Sequence, residues 1–244
     1  FYSHLNAIKE GDGVFYFSGS YRGNINIDGF VLSNENYLST FIGTCDYQGN
    51  ILWISDIGIN TLGGKHYLDI TNNDKIVFGS EVTGSFQISD SLFNIDNNRH
   101  IFISQLNGIG EIETYKVFPS KGALNLNGLC TLENNDILIG ATFTDTTYVG
   151  NNTINPSGLK DFFVARLDSM LQLVWVNVSR GDGYKELSAL KMTPLGDILG
   201  FVAYKGTLII DNKEYLPVFL QGLMVFSYDI GGNALWQKSL SGFA

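Results

Sequence analysis

The chain has 244 residues, of which 44% are hydrophobic and 16% are charged, and its formal net charge at pH 7 is −9. A partner with a phosphate backbone requires a basic groove, so this acidic balance argues against nucleic-acid binding. No stretch of the sequence approaches about 18 uncharged apolar residues, which argues against a membrane-spanning helix.

A repeat with a spacing of 61 residues organises the chain. The string DYQGNILW begins at Asp46 and the string DIGGNALW begins at Asp229, while Asn107 and Asp168 occupy the two intermediate steps. Repetition at a fixed period of a few tens of residues is typical of solenoids and propellers. One copy is too short to bury a sufficient core alone, so we predict one domain of four cooperating copies. The predicted domain covers residues 1–244, and its copies cover about 3–63, 64–124, 125–185 and 186–244.

The second copy shows the predicted elements in chain order. Its short runs of β-branched and aromatic residues, bounded by Gly and Asx, indicate four strands. A longer excursion at 83–99 separates the second strand from the third, and its apolar positions recur in every copy, which indicates an additional hairpin. The four predicted strands cover residues 66–70, 75–82, 100–106 and 111–118.

Four antiparallel strands per copy, repeated around an axis, are the blades of a β-propeller. No segment has a sustained helical period of apolar residues, which excludes helical repeats. We therefore predict an all-β fold, a β-propeller of four tandem blades with four antiparallel strands each plus an extra hairpin between strands two and three. The terminal segments 1–8 and 239–244 resemble the joints between copies, which favours closure with four blades. The alternative is a larger ring that belongs to a longer chain.

The third copy contains the string DFFVARLDSMLQLVW at 161–175. It resembles the SBBP-type bacterial β-propeller repeat, in which Phe-Val-Ala-Lys-Leu-Asp is followed by a Gly-Asn turn and Leu-Trp. Arg166 stands in place of the lysine, Thr114 replaces the Trp in the second copy, and Phe226 replaces a small residue in the fourth. The resemblance covers all four copies and implies a secreted or cell-surface bacterial protein, often modular. The matching residues are Phe163, Val164, Ala165, Leu167, Asp168 and Trp175.

Two repeated side-chain types allow both a structural and a functional interpretation. The Asp or Asn that opens each repeated turn could bind calcium, but Asx side chains also cap tight turns, and the closing glutamate of a calcium loop is missing. Turn capping is therefore predicted. Trp53, Trp175 and Trp236 could stack on sugars. Their common place on the outermost strand, after an apolar residue, favours packing between blades instead.

The innermost strands provide the first candidate binding site. His66 aligns with a polar residue in every other copy. Side chains on the innermost strands would line a central channel, where one ligand meets all four blades. The alternative interpretation is an ordinary solvated channel wall. The candidate residues are Asn6, His66, Asn127 and Ser188.

The excursions between the second and third strands provide the second candidate site. Their sequences differ most among the copies, which suits one asymmetric partner, and loops displayed by a rigid scaffold commonly carry function. The candidate residues are Arg99, His100, Phe219 and Gln221. The integrin-type tripeptide at 180–182 lies in the joint between the third and fourth copies, where ordinary Gly-Asp turn chemistry is the favoured interpretation.

Neither a nucleophile elbow nor a nucleotide-binding glycine loop is present, and no two histidines have metal-site spacing. Cys45 and Cys130 occupy different repeat positions, so a disulfide is not expected. We predict no cofactor, no metal and no enzymatic activity. The predicted function is a non-catalytic protein-interaction or scaffold module of a secreted or cell-surface bacterial protein, which could be a subunit of a larger surface or secretion assembly. A carbohydrate-binding propeller is the alternative, and a propeller hydrolase is the less favoured one.

Overall fold

The computed structural model describes residues 2–59, 61–88, 91–217 and 220–240, and within these ranges the chain forms strands, turns and loops without a helix. The described strands form four four-stranded antiparallel sheets and three separate two-stranded hairpins. The chain divides into two compact units, residues 1–117 and 118–244, and each unit holds two of the four-stranded sheets. The prediction of an all-β antiparallel fold is confirmed.

Sheet 1 is a meander in which consecutive strands are hydrogen-bonded neighbours. Its second and third strands are long because they continue into the excursion, where Ile27 pairs with Phe30 at the tip. The predicted extra hairpin is therefore the far end of one strand pair in this copy. The strands are β1 (Tyr2–Glu10), β2 (Val14–Ile27), β3 (Phe30–Asp46) and β4 (Ile51–Asp56).

Sheet 2 has the neighbour order β5-β6-β9-β10, and β7 and β8 form the separate hairpin of its excursion. The first strand begins before the predicted residue 66, because Thr61 still pairs with Val82 beyond an irregularity in the register. The strands are β5 (Thr61–Ile70), β6 (Ile76–Val82), β7 (Ser85–Ile88), β8 (Ser91–Asn94), β9 (His100–Leu106) and β10 (Ile112–Phe118).

Sheets 3 and 4 repeat this plan, each with four sequential strands and one separate excursion hairpin. Sheet 3 comprises β11 (Leu124–Thr131), β12 (Ile137–Phe143), β15 (Asp161–Leu167) and β16 (Leu173–Val178), with the hairpin β13 (Thr147–Val149) and β14 (Asn152–Ile154). Sheet 4 comprises β17 (Tyr184–Met192), β18 (Ile198–Lys205), β21 (Gly222–Tyr228) and β22 (Ala234–Leu240), with the hairpin β19 (Leu208–Ile210) and β20 (Lys213–Tyr215).

The two sheets of each unit pack in the same way. In unit 1 the first strand of sheet 2, β5, contacts β1, β2 and β3, and in unit 2 the first strand of sheet 4, β17, contacts β11, β12 and β15. Ile42 and Phe78 belong to the apolar core of unit 1. In the core of unit 2, Phe162 of sheet 3 stacks on Phe226 of sheet 4, with ring centroids 5.8 Å apart. Burial of these large side chains between paired sheets is the main source of stability in each unit.

Two glycines of sheet 3 allow sheet 4 to approach closely. A Cβ at Gly128 would lie 2.5 Å from the Cβ of Leu190, and a Cβ at Gly140 would lie 2.5 Å from Cδ2 of Leu187. Larger residues at these positions would push β17 away from the face of sheet 3.

Candidate functional site

The turn between the third and fourth strands of each sheet is capped by its own Asx side chain. Oδ1 of Asp46 accepts hydrogen bonds from the backbone amides two and four residues later, at 2.9 and 2.8 Å. The side chains of Asn107, Asp168 and Asp229 also accept backbone amides within their own turns. Hydrogen bonds from Asn50, above all from its side chain, hold the pKa of the Asp46 carboxyl below its ordinary value. The prediction of turn capping is confirmed, and no group of His, Cys, Asp and Glu among the described residues could hold a metal ion.

Two of the three tryptophans join neighbouring sheets. The ring of Trp53 lies against Gly110 in the next sheet, where an added Cβ would come within 2.5 Å of the ring. Nε1 of Trp175 donates a hydrogen bond to the carbonyl oxygen of Ile230 at 3.1 Å. Packing between sheets is thereby confirmed for these two residues. Trp236, on the last strand of unit 2, is 45% exposed.

Three of the four polar residues predicted to line a channel lie at β-bulges. Asn6, Asn127 and Ser188 each stand where the register between the first and second strands shifts. A bulge leaves the extra residue unpaired in the ladder, so a side chain that bonds locally is favoured there. Oδ1 of Asn6 accepts the hydroxyl of Ser20 at 3.4 Å, and Oδ1 of Asn127 accepts the hydroxyl of Thr142 at 2.7 Å. The polarity of this position therefore has a local structural reason.

The fourth of these residues, His66, is enclosed between the two sheets of unit 1. It is 5% exposed, its Nδ1 lies 3.1 Å from Oγ of Ser18, and its Nε2 lies 3.4 Å from Oγ of Ser20. Its ring meets that of Phe78 edge to face. Burial, reinforced by the charge of His4, lowers the pKa of His66 to about 4. The side chain is thus a neutral link between sheets rather than part of a solvated wall.

The predicted excursion residues have different environments. Arg99 is exposed and forms a 3.4 Å ion pair. His100 is only 3% exposed, and its Nε2 lies 2.8 Å from Oδ1 of Asp96, so its ring supports the loop from inside and is not presented to a partner. Gln221 is exposed, and Phe219 lies outside the described residues.

A buried ion pair holds the loops at the excursion side of unit 2, which we define as the side carrying the loops between second and third strands. Nζ of Lys185 lies 3.1 Å from Oδ1 of Asp161, and both side chains are completely buried. The carboxylate also accepts the amide and hydroxyl of Ser157, and the ammonium donates to the carbonyl oxygens of Gly181 and Asp182. Removal of either charge would leave the other buried and unpaired, which is strongly unfavourable. The network therefore fixes the geometry of these loops.

The Arg180-Gly181-Asp182 tripeptide is part of the same network. The backbone of Arg180 pairs with that of Ile209 through two hydrogen bonds, at 3.0 and 2.8 Å. Oδ1 of Asp182 accepts the amide of Thr207 at 2.6 Å, and this bond lowers the pKa of the carboxyl. The aspartate is engaged within its own loop, which favours turn chemistry over integrin-type adhesion.

Exposed leucines stand on the excursion loops of unit 2. Leu159 is 77% exposed and follows the network serine Ser157, while its own amide donates to the carbonyl oxygen of Gly183. Leu216 and Leu220, in the loop between β20 and β21, are 65% and 91% exposed. Each of these loops therefore exposes large apolar side chains that a partner could contact.

Sequence reasoning missed the Lys185–Asp161 pair. The repeat carried a signal, because the position of Lys185 is held by Leu124 in the preceding copy and the position of Asp161 is held by Ser39 in the first. A lysine and an aspartate at repeat positions that hold no Lys, Arg, Asp or Glu in the other copies are candidates for an ion pair.

No protein-family model matches the chain, and no curated protein matches it. Among solved structures, the chain is similar to a protein of unknown function from Bacteroides caccae, with 10% sequence identity and a TM-score of 0.31. That similarity covers 82% of this chain and 90% of the other chain. Values this low are no evidence of a shared fold or function. No helix among the described residues is long and apolar enough to cross a membrane.

Proposed function

We propose that this protein is a non-catalytic interaction module that holds another protein through the excursion loops of unit 2. Leu159, Leu216 and Leu220 would supply the apolar contacts at the centre of the interface. The observation that carries the proposal is that an exposed leucine, Leu159, stands on a loop held by the buried Lys185–Asp161 pair. A loop that is already fixed loses little conformational entropy on binding, so it gives more affinity for the same contacts.

The scaffold in this proposal is a four-bladed β-propeller. Phe78 and Phe102 belong to the core shared by the sheets of unit 1. Their repeat equivalents, Phe17 and Phe41, are buried but line an apolar cleft of about 610 Å³ on sheet 1, in which Leu5 and Ile8 are 65% and 70% exposed. Trp236 is half-exposed on sheet 4, although its equivalent Trp53 packs on a neighbouring sheet. The cleft on sheet 1 and the exposed side of Trp236 on sheet 4 thus each correspond to a surface that packs against a neighbouring sheet in another copy. This correspondence supports a ring. The alternative is that further blades of a longer chain cover them.

The sequence gives the ring a second support. Within each unit, the outer-strand Trp of one sheet lies against the turn glycine of the next, as with Trp175 and Gly232. The second copy has Thr114 instead of Trp, and the third copy has Leu171 at the glycine position. If the second and third copies pack in the same way, the smaller Thr114 in place of Trp is expected to be accompanied by a larger residue in place of Gly, as Leu171 is. Between the fourth copy and the first, the corresponding residues are Trp236 and Gly49, the same combination as within each unit.

We place the module outside the cytoplasm of a bacterium, on a secreted or surface protein. The resemblance to SBBP-type repeats supports this location, and a net charge of −9 suits a soluble exported module and disfavours nucleic acid. It could be one domain of an adhesin or a subunit of a larger surface or secretion assembly.

The test is a pull-down from the native cell envelope with three proteins. We expect the wild type to recover a specific partner and the triple variant Leu159→Ser, Leu216→Ser and Leu220→Ser to lose it. Ile109→Ser is the matched control, since Ile109 is 64% exposed on a short turn of unit 1. Equal recovery by the triple variant would contradict the proposed surface. Turnover of a defined substrate by the purified chain would contradict the non-catalytic function.

A carbohydrate-binding function is the second candidate, and the exposure of Trp236 favours it. A half-exposed indole is a suitable stacking platform for a sugar ring. Binding to a glycan array that is lost in Trp236→Ala but retained in the triple leucine variant would establish this alternative. A ring closed over Trp236 would predict no glycan binding.

A further inference from the structure

A cleft opens on the short-turn side of unit 2, which carries the turns between first and second and between third and fourth strands. It has a volume of about 760 Å³ and lies among the turn segments 131–134, 192–197 and 229–230. This size is in the range of cavities that enclose small ligands or a few residues of a peptide. The cleft is remote in the fold from the excursion loops, because these turns lie at the opposite ends of the strands.

Five apolar side chains line the cleft together with polar ones. Leu132 is buried in the core shared by sheets 3 and 4, and Met192 packs against the same core. Pro194 and Leu195 form the tip of the turn before β18, where Leu195 is 90% exposed, and Ile230 is 49% exposed. An aliphatic side chain entering the cleft would therefore meet apolar surface that now faces water.

The charge of the cleft has one sign. Its lining contains three carboxylates, Glu133, Asp197 and Asp229, and no lysine or arginine. The neighbouring Arg166 donates to Asp136 at 2.7 Å and to the carbonyl oxygen of Ile230 at 2.8 Å, so its charge is already compensated. A cation on an aliphatic stem is complementary to this combination, and an anion is not.

We propose that this cleft binds a basic peptide segment in which Lys or Arg adjoins aliphatic residues. The aliphatic residues contact Met192, Leu195 and Ile230, and the ammonium or guanidinium group lies near the carboxylates of Asp197 and Glu133. The proposal does not depend on the function assigned to the excursion loops. It adds a second surface through which the same unit engages a partner.

The chain provides its own reporters for a test, since its three methionines occupy three environments. Met192 lines the cleft, Met224 is buried in the core, and Met170 is 72% exposed on another turn. Protein labelled with carbon-13 at the methionine methyl groups is titrated with the peptide acetyl-Leu-Lys-Leu-Arg-amide. We expect a saturable shift of the Met192 resonance, while the resonances of Met224 and Met170 stay in place. No shift of Met192 at millimolar peptide would overturn the proposal.

Two comparisons isolate the charge. The double variant Glu133→Gln and Asp197→Asn should raise the Kd of the basic peptide at least about threefold, since exposed ion pairs contribute modestly. Glu214→Gln is the control, because Glu214 is an exposed carboxylate on the excursion hairpin and should leave the Kd unchanged. Equal binding of acetyl-Leu-Gln-Leu-Gln-amide, or equal affinity of the double variant, would overturn the assignment of a basic ligand. An unshifted Met224 resonance in each variant confirms that the core is intact.

Discussion

Acidification should destabilise unit 1 through His66. The pKa of this side chain falls from 6.5 to about 4 in the folded chain, mainly because its ring is buried between sheets 1 and 2. The ring faces the hydroxyls of Ser18 and Ser20 and the ring of Phe78, none of which compensates a positive charge, and His4 adds repulsion. Protonation therefore favours the unfolded state.

The direction and size follow from proton linkage. Well above pH 6.5 the imidazole is neutral in both states and contributes no pH dependence. As the pH falls from 6.5 to about 4, the unfolded state binds a proton that the folded state excludes, and the free energy of unfolding decreases. Since one unit of pKa shift corresponds to about 1.4 kcal/mol, the loss is about 3 kcal/mol when the pH reaches 4.

The assay is urea unfolding at a series of pH values, with 5-fluorotryptophan in place of the three tryptophans. Trp53 reports on unit 1 and Trp175 on unit 2, so fluorine NMR follows the two units separately. His66→Gln is the matched variant, since its amide can bond to Ser18 and Ser20 but does not titrate. Between pH 6.5 and 4 we expect the wild type to lose about 3 kcal/mol more than His66→Gln at the Trp53 resonance. Parallel pH profiles for the two proteins would refute this reasoning.

Three further predictions concern packing in unit 2. In unit 2 expressed alone, Trp175→Ala should lower the free energy of unfolding in urea by about 3 kcal/mol, because the indole packs on the next turn. Trp236→Ala in the same unit should change it by less than about 1 kcal/mol. Equal losses would show that packing on the next turn is not what stabilises Trp175. Lys185→Met should lower the free energy of unfolding by about 3–5 kcal/mol, because Asp161 stays buried without its partner. In a double-mutant cycle, the double variant with Asp161→Asn should recover part of that loss. Additive losses would contradict coupling between the two side chains. Gly232→Ala should lower the melting temperature, because Gly232 has a φ of +85° and a Cβ there would lie 2.9 Å from the ring of Trp175. An unchanged melting temperature would contradict the close approach of the turn to the ring.

The strands and the turns could be predicted from sequence because the information is local. Asp46 and its equivalents bond to amides two to four residues away, so the Asx-Gly turn is encoded where it forms. Alternation of β-branched and aromatic residues likewise marks each strand. The inference that Trp53 and Trp175 pack between sheets followed from their shared repeat position.

The side-chain environments of the candidate sites could not be predicted in the same way. Asn6 and Asn127 owe their place to bulges, and a bulge depends on the pairing of two strands rather than on one string. His66 was predicted to line a channel because it aligns with polar residues, and His100 was predicted to face a partner because it lies at a polar loop. The structure buries both side chains. The Lys185–Asp161 pair joins two sheets, since Asp161 lies on β15 of sheet 3 and Lys185 lies on β17 of sheet 4, and the pairing of these sheets is not encoded in either strand alone.

The most direct test of the central claim, a propeller of four related sheets, is the distance between the turn at 46–50 and strand β22. Spin labels at residues 48 and 235, in a background with Cys45 and Cys130 replaced by Ala, allow this distance to be measured by double electron–electron resonance. A closed ring predicts a single narrow distribution centred near about 20 Å, because packed sheets lie about 10 Å apart and the labels add their own length. The same distance should persist when labelled protein is diluted with an excess of unlabelled protein. A broad distribution, or a mean beyond about 35 Å, which is roughly twice the radius of gyration of a compact domain of this length, would contradict closure with four blades.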